Sequence, residues 1–241
     1  VEDKKMKPLV AITGASSGIG KSTAKAFSDV GYPLLLMARR IEKLKALSLP
    51  NSMIRPVDVT KPEEIESAFN DAQKEFGAID CLINNAGLMM LGLPWEQDPL
   101  EWQKMVQVNI LGVLNGIHYV LPDMVLRKKG TIINISSLAG RKTFQKHAVY
   151  CATKFAVHAL SETIREEVSQ YNVRVITIVP GAVETELITH TTSKEIQKEW
   201  WNGLNGILKP EDVAKAILFA YEQPQDVCLR EIVITPTGQS S

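Results

Sequence analysis

Along this chain short runs that are apolar at nearly every position alternate with longer stretches of helical period. Pro8 to Thr13 is such a run, the apolar positions from Ile19 to about Val30 recur at helical spacing, and Pro33 to Ala38 is apolar again. Short, wholly apolar runs read as strands buried on both faces. The same pattern predicts strands at Ser52 to Val57, Asp80 to Asn84, Gly130 to Ser136, Val173 to Val179 and Glu231 to Ile234, with helices near 62–76, 99–127, 149–170 and 210–221. Strand and helix alternate with no linker between them. This predicts one α/β domain, a doubly wound parallel sheet of about seven strands with helices on both faces and right-handed crossovers. Its extent is 8–241; residues 1–7 are a charged lead-in, a flexible end or a cloning remnant, outside the fold.

Composition narrows the classes. The 241 residues are 45% hydrophobic, enough for one sizeable core, and 27 basic residues balance 27 acidic ones, which disfavours a nucleic-acid partner. No apolar run approaches ~18 residues and the first residues lack a signal-peptide core, so neither a membrane span nor secretion is expected, and the cytoplasm is the default. Cys81, Cys151 and Cys228 are widely separated, without CxxC spacing, and read as reduced thiols. His118, His147, His158 and His190 are scattered, so no metal site is expected.

The chemistry concentrates between Gly130 and Lys154. The β-branched run Thr131 to Ile135 ends in Ser136 and Ser137, at the carboxyl end of a strand, where open α/β sheets bind ligands. Tyr150 and Lys154 follow, one helical turn apart on one face. A free phenol has a pKa near ~10, too high for a proton exchanger near neutrality. An ammonium about 4 Å away at an effective dielectric of ~20 contributes on the order of 4 kcal/mol, roughly three pK units, so Lys154 is expected to lower the Tyr150 pKa. Ser137 can hydrogen-bond the same substrate oxygen. Taken alone, a Tyr-x-x-x-Lys pair is also what a surface helix carries, and only its context separates the two readings.

The first strand supplies that context. It ends in Gly14, Ser16, Ser17, Gly18, Ile19 and Gly20 and runs straight into a helix, where free backbone N–H groups and the helix's positive end suit an anion. Gly14 permits the turn, Gly18 the approach of a pyrophosphate and Gly20 close helix packing; a plain glycine-rich turn is the alternative. At the end of the second strand stand Arg39 and Arg40 in place of an acidic residue, which favours the 2′-phosphate of NADP over the ribose hydroxyls of NAD unless both are solvated surface. Ser16 can add a phosphate contact. Asp58, beside Val59, either accepts from the adenine amino group or caps the turn before Pro62. Asn84, Asn85, Ala86 and Gly87 suit close cofactor approach, strand stitching or a simple turn. Asn109 shares a helix face with Met105 and Val113, an apolar face that favours a buried amide with an assigned partner.

Together these motifs resemble the classical short-chain dehydrogenase/reductase family over Leu9 to Ile234. The resemblance implies a single-domain Rossmann fold that binds NADP(H). It implies a tetrad: Tyr150 as general acid/base, Ser137 orienting the carbonyl, Lys154 holding the nicotinamide ribose, and Asn109 supporting a proton-relay water. It also implies Asp58 and Val59 at the adenine, Asn85, Ala86 and Gly87 along the ribose, Ile12, Gly14, Ser17 and Ile19 around the diphosphate, and Pro180, Gly181, Val183 and Thr185 at the nicotinamide. Homodimers or homotetramers pairing the helices near 99–127 and 149–170 are implied as well. The closing stretch Arg230 to Gly238 is similar to that of bacterial NADP-dependent 3-hydroxy acid or serine dehydrogenases.

Substrate choice is expected to lie in Leu88 to Trp95, Leu138 to His147 and Glu184 to Gly206, the last a lid. Leu187, Ile188, Trp200 and Trp201 either close over an apolar substrate or pack the lid itself; Leu138, Arg141 and His147 complete the set, the last two meeting a carboxylate or standing in solvent. The reading is an NADP-dependent dehydrogenase acting on a secondary alcohol or ketone, with a small-molecule partner. The alternatives are a 3-oxoacyl-[acyl-carrier-protein] reductase, a general carbonyl reductase, an epimerase or dehydratase of the extended relatives, and a non-catalytic NADPH-binding regulator.

Overall fold

A computed structural model describes residues 7–239. Seven parallel strands form one sheet: β1 (Leu9–Thr13), β2 (Leu34–Ala38), β3 (Ser52–Pro56), β4 (Ile79–Asn84), β5 (Gly130–Ile135), β6 (Val173–Pro180) and β7 (Glu231–Ile234), in the order β3-β2-β1-β4-β5-β6-β7. The order reverses between β1 and β4, and that crevice, outside the strands' carboxyl ends, is where ligands enter such sheets.

The apolar runs become strands because both faces are covered. In β1 and β2, Leu9, Ala11, Leu35 and Met37 enter one core while Val10, Ile12, Leu34 and Leu36 enter the other. The alternation is the strand's two-residue period. Helices α1 (Gly18–Asp29) and α8 (Pro210–Tyr221) cover the second core; α3 (Pro62–Phe76), α5 (Gly112–Arg127) and α6 (Ala148–Val168) cover the first. α3 starts on Pro62 with Glu63 and Glu64 in its first turn and stops at Gly77, as N-terminal proline and acidic residues with a following glycine dictate.

Boundaries match the expected ones within a residue or two. Two short helices, α2 (Ile41–Lys45) and α7 (Lys194–Asn202), lie where none was expected. The stretch expected as one helix over 99–127 is α4 (Pro99–Val106), a π-helical turn (Gln107–Leu111) and α5. By length and composition alone this 29-residue stretch is apolar enough to cross a membrane, a test that the core helix of a globular domain also passes. Its inner side is nevertheless built into the sheet's core by Val113, Ile117, Val120 and Met124. Of the lead-in, Val1 to Met6 lie outside the described residues; Lys7 packs its ammonium over the Tyr32 ring, 4.2 Å from the centroid, and so joins the fold.

Candidate active site

A cavity of about 760 Å³ runs along the strands' carboxyl ends, from Arg39, Arg40 and Asp58, past the glycine turn, to Ser137, Tyr150 and Pro180. Its first half is built by backbone. Ser17 precedes α1 without capping it through its side chain, so the helix's first N–H groups remain donors at the cavity wall. Thr13 Oγ1 accepts from the backbone N–H of Asn85 (3.0 Å) and Ala86 (3.1 Å), and Asn85 Nδ2 donates to the carbonyls of Thr13 (2.9 Å) and Gly14 (3.2 Å). Asn84 Nδ2 donates to Asn134 Oδ1 at 2.9 Å, one strand over. The asparagines therefore stitch β1, β4 and β5 together and hold Asn85, Ala86 and Gly87 at the cavity wall.

Gly14 adopts φ +66°, and a Cβ there would stand 2.8 Å from Ala86 Cα. Gly14→Ala should therefore cost about 2–5 kcal/mol, from left-handed strain and overpacking, and weaken dinucleotide binding at least tenfold; melting curves and a binding titration check both. Gly20 does not line the cavity. A Cβ on it would come within 2.4 Å of the Gly14 carbonyl oxygen, so its part is the close packing of α1.

The chemical half gathers Ser137, Tyr150 and Lys154, with Tyr150 5% and Lys154 6% exposed. Ser137 Oγ accepts from Ala139 N at 3.1 Å, which fixes its rotamer and leaves its proton to be donated. Lys154 Nζ donates to the Ile135 carbonyl at 2.9 Å and lies 5.9 Å from the centre of the Tyr150 ring. The expected depression of the phenol's pKa is not what this geometry produces. Burial pushes Tyr150 up to about 12, against the pull of its hydrogen bond with Ser137, and burial pulls Lys154 down to about 8. Desolvation outweighs attraction because the ammonium is drawn to a carbonyl instead of the phenolic oxygen. Near neutrality Tyr150 is a protonated acid beside a largely charged Lys154.

Asn109 is 1% exposed and does not line the cavity. Its Oδ1 accepts from Leu88 N (2.8 Å), and its Nδ2 donates to Leu88 O (2.8 Å) and Thr153 Oγ1 (3.1 Å). Thr153 Oγ1 in turn donates to Tyr150 O at 2.8 Å. The Asn109 side chain thus holds the Leu88 loop against the turn that carries Tyr150. Asp58 lines the cavity, but its Oδ1 accepts from Thr60 N (3.0 Å) and Thr60 Oγ1 (2.8 Å), the turn-capping alternative. Burial pushes its carboxyl up, and the two bonds from Thr60 prevail and hold it low.

Val59, Pro180, Gly181, Val183, Thr185, Ser16 and Ile19 line the cavity as anticipated. So do Leu138, His147, Leu187 and Trp200 at the substrate end. Arg141 and Trp201 do not. Arg141 follows the 3₁₀ turn Leu138–Gly140 and points Nε at Glu231 Oε1, 3.7 Å away; Trp201 is 42% exposed and stacks edge-on against Trp200. His147 Nδ1 lies 2.6 Å from the Gln145 carbonyl, so that nitrogen carries the proton, while burial holds the ring's pKa below its ordinary value. A neutral imidazole results.

Spacing did not reveal Met89, Phe144, Glu186, Glu199 and Leu204, which also line the cavity. All five lie inside the segments expected to set substrate choice, and Glu199 is held by an ion pair with Lys146. Thr191 anchors the covering segment: its Oγ1 accepts from Leu91 N at 3.0 Å and donates to Met89 O at 3.3 Å.

The arrangement fits a dinucleotide. Free N–H groups and arginines occupy one end, and a buried cation beside a protonated phenol occupies the other. The family model described as short chain dehydrogenase matches residues 8–196. An uncharacterized oxidoreductase of Staphylococcus saprophyticus is 41% identical, over 100% of this chain and 98% of its own. Among solved structures, the closed form of a serine dehydrogenase complexed with NADP+ superposes with a TM-score of 0.91 at 32% identity, covering 97% of this chain and 96% of that one. An alcohol dehydrogenase from the archaeon Thermococcus sibiricus complexed with 5-hydroxy-NADP gives 0.86 at 28% identity, covering 98% and 99%.

Proposed function

Because the chain belongs to the short-chain dehydrogenase family, we propose that it is an NADP(H)-dependent oxidoreductase of secondary alcohols and ketones. The observation that carries this reading is the buried set of Ser137, Tyr150 and Lys154 at one end of a cavity whose other end is the glycine turn with Arg39 and Arg40. The NADP-type ligands of the two solved structures support the same cofactor. When bound, the dinucleotide supplies or accepts the hydride at C4 of its nicotinamide.

The protein's own residues do the rest. Tyr150 gives its proton to the carbonyl oxygen in reduction and takes it back in oxidation. Ser137 donates to the same oxygen, orienting it and stabilising the charge that develops there. Lys154 holds a positive charge beside that oxygen, and Asn109, through Leu88 and Thr153, keeps the floor and Tyr150 in register. Leu187 and Trp200 exclude water from the substrate end.

Similarity to a serine dehydrogenase makes short 3-hydroxy acids, serine and allo-threonine among them, part of any test. The lining favours uncharged ketones ahead of them: Arg141 faces Glu231, Lys146 is neutralised by Glu199, and His147 is neutral. An acyl thioester is the alternative substrate of the same chemistry. Exposed Leu100, Val106, Leu111 and Phe155 on α4 to α6 support self-association into a dimer or tetramer, which light scattering would read as a multiple of the chain mass.

The test is turnover of NADP⁺ with serine, allo-threonine, 3-hydroxyisobutyrate and simple secondary alcohols, and of NADPH with ketones and an acetoacetyl thioester. Turnover of simple ketones and alcohols, faster than of the hydroxy acids, is expected. A protein that binds NADPH and turns over nothing in a broad ketone panel contradicts the reading and favours a binding-only role.

A further inference from the structure

Glu186 sits where an anion is wanted. It follows Thr185 at the exit of β6, in the 3₁₀ turn Glu186–His190, on the opposite side of the glycine turn from the end of β2. Its carboxylate nevertheless reaches across the cleft. Oε2 accepts from Arg40 Nη1 at 2.7 Å and Oε1 from Lys43 Nζ at 2.7 Å. The other arm of the same guanidinium donates to Ser17 Oγ at 2.8 Å and Ser16 Oγ at 3.2 Å.

A guanidinium and an ammonium converging on one carboxylate, with two serine hydroxyls beside the guanidinium's other arm, are a set of groups that a phosphate takes. Lys43 and Arg40 hold the Glu186 carboxyl down at about 2, so the occupant is an anion throughout the working pH range. It carries one negative charge, and both it and its partners are nearly half exposed. A phosphate dianion brings more charge and more acceptor oxygens to the same donors.

We infer that Glu186 is a resident surrogate for the 2′-phosphate: it holds Arg40 and Lys43 in the free protein and must leave them when NADP(H) binds, which makes Glu186 and Lys43 determinants of the preference for NADP over NAD. This rests on the NADP(H) reading above. NAD, which lacks the phosphate, has no reason to displace the carboxylate. Glu186 thus costs affinity for the phosphorylated cofactor alone, and Lys43 adds to it.

The test is a pair of dissociation constants, for NADP⁺ and NAD⁺, measured by calorimetry at low ionic strength on the wild type, Glu186→Gln and Lys43→Ala. Two half-exposed ion pairs correspond to about three- to thirtyfold. Glu186→Gln should tighten NADP⁺ by that factor and leave NAD⁺ within about twofold, and the gain should shrink as salt is added. Lys43→Ala should weaken NADP⁺ selectively. If Glu186→Gln changes neither constant, or weakens both equally, the carboxylate serves to clasp the covering segment and the inference is overturned while the cofactor assignment stands. A wild type that binds neither dinucleotide overturns both together.

Discussion

Tyr150→Phe is expected to lower kcat for ketone reduction by about 10²–10⁴-fold, the range a positioned general acid contributes, while leaving the NADPH dissociation constant nearly unchanged. The substitution removes one oxygen from a ring that is already buried and packed, so the cavity keeps its shape. Only the proton is lost. That proton is in place near neutral pH because burial pushes the phenol up to about 12. Stability should move by no more than about 1 kcal/mol, since the hydrogen bond with Ser137 is lost together with the cost of burying the hydroxyl. Rapid-mixing measurement of NADPH oxidation with saturating ketone separates the two effects. A variant as fast as the wild type would assign the acid elsewhere.

Lys154→Met should lower kcat by about 10²–10³-fold and make the protein more stable at pH 7. Burial takes the lysine from 10.5 down to about 8, which corresponds to about 3 kcal/mol of destabilisation while it is charged. Because the folded-state value is the lower one, the unfolded chain binds more protons between those two values. The penalty is complete below about pH 8, fades as pH rises, and is gone above about 10.5. Loss of the bond to the Ile135 carbonyl returns about 1 kcal/mol, leaving about 2 kcal/mol and a rise in Tm of about 4–8 °C at pH 7. The rise should disappear near pH 10.5. In the wild type, kcat/KM for NADPH should fall above about pH 8 as Lys154 loses its charge. Calorimetric scans across pH check the first prediction and a pH–rate profile the second.

Lys154 also marks where reading the sequence stops. Helical spacing correctly put it on one face with Tyr150, because a four-residue step is a property of the backbone. The net shift did not follow from spacing: burial of the phenol outweighs any pull of the ammonium, and the balance depends on where the ammonium finds a carbonyl and on how much water both heads lose, neither of which is periodic. The strands were legible for the converse reason: a parallel strand covered on both faces has to be apolar at nearly every position, as Leu34 to Ala38 and Leu9 to Ile12 are throughout. Arg141 could not be placed, since one 3₁₀ turn decides whether its guanidinium meets the cavity or Glu231. Glu186 lies 146 residues from Arg40 in the chain, and no local pattern announces that pairing. Asn109 was rightly read as a buried amide with partners, yet the π-helical turn that carries it has no periodic signature.

The measurement that goes most directly to the central claim is deuterium transfer from [4,4-²H₂]NADPH to the carbonyl carbon of a simple ketone, read by mass spectrometry of the product alcohol. One deuterium on the carbinol carbon of the wild-type product, with labelled product formed about 10²–10⁴-fold more slowly by Tyr150→Phe, is the predicted result. Product without deuterium, or label transfer undiminished in the variant, would contradict hydride transfer with Tyr150 as its acid.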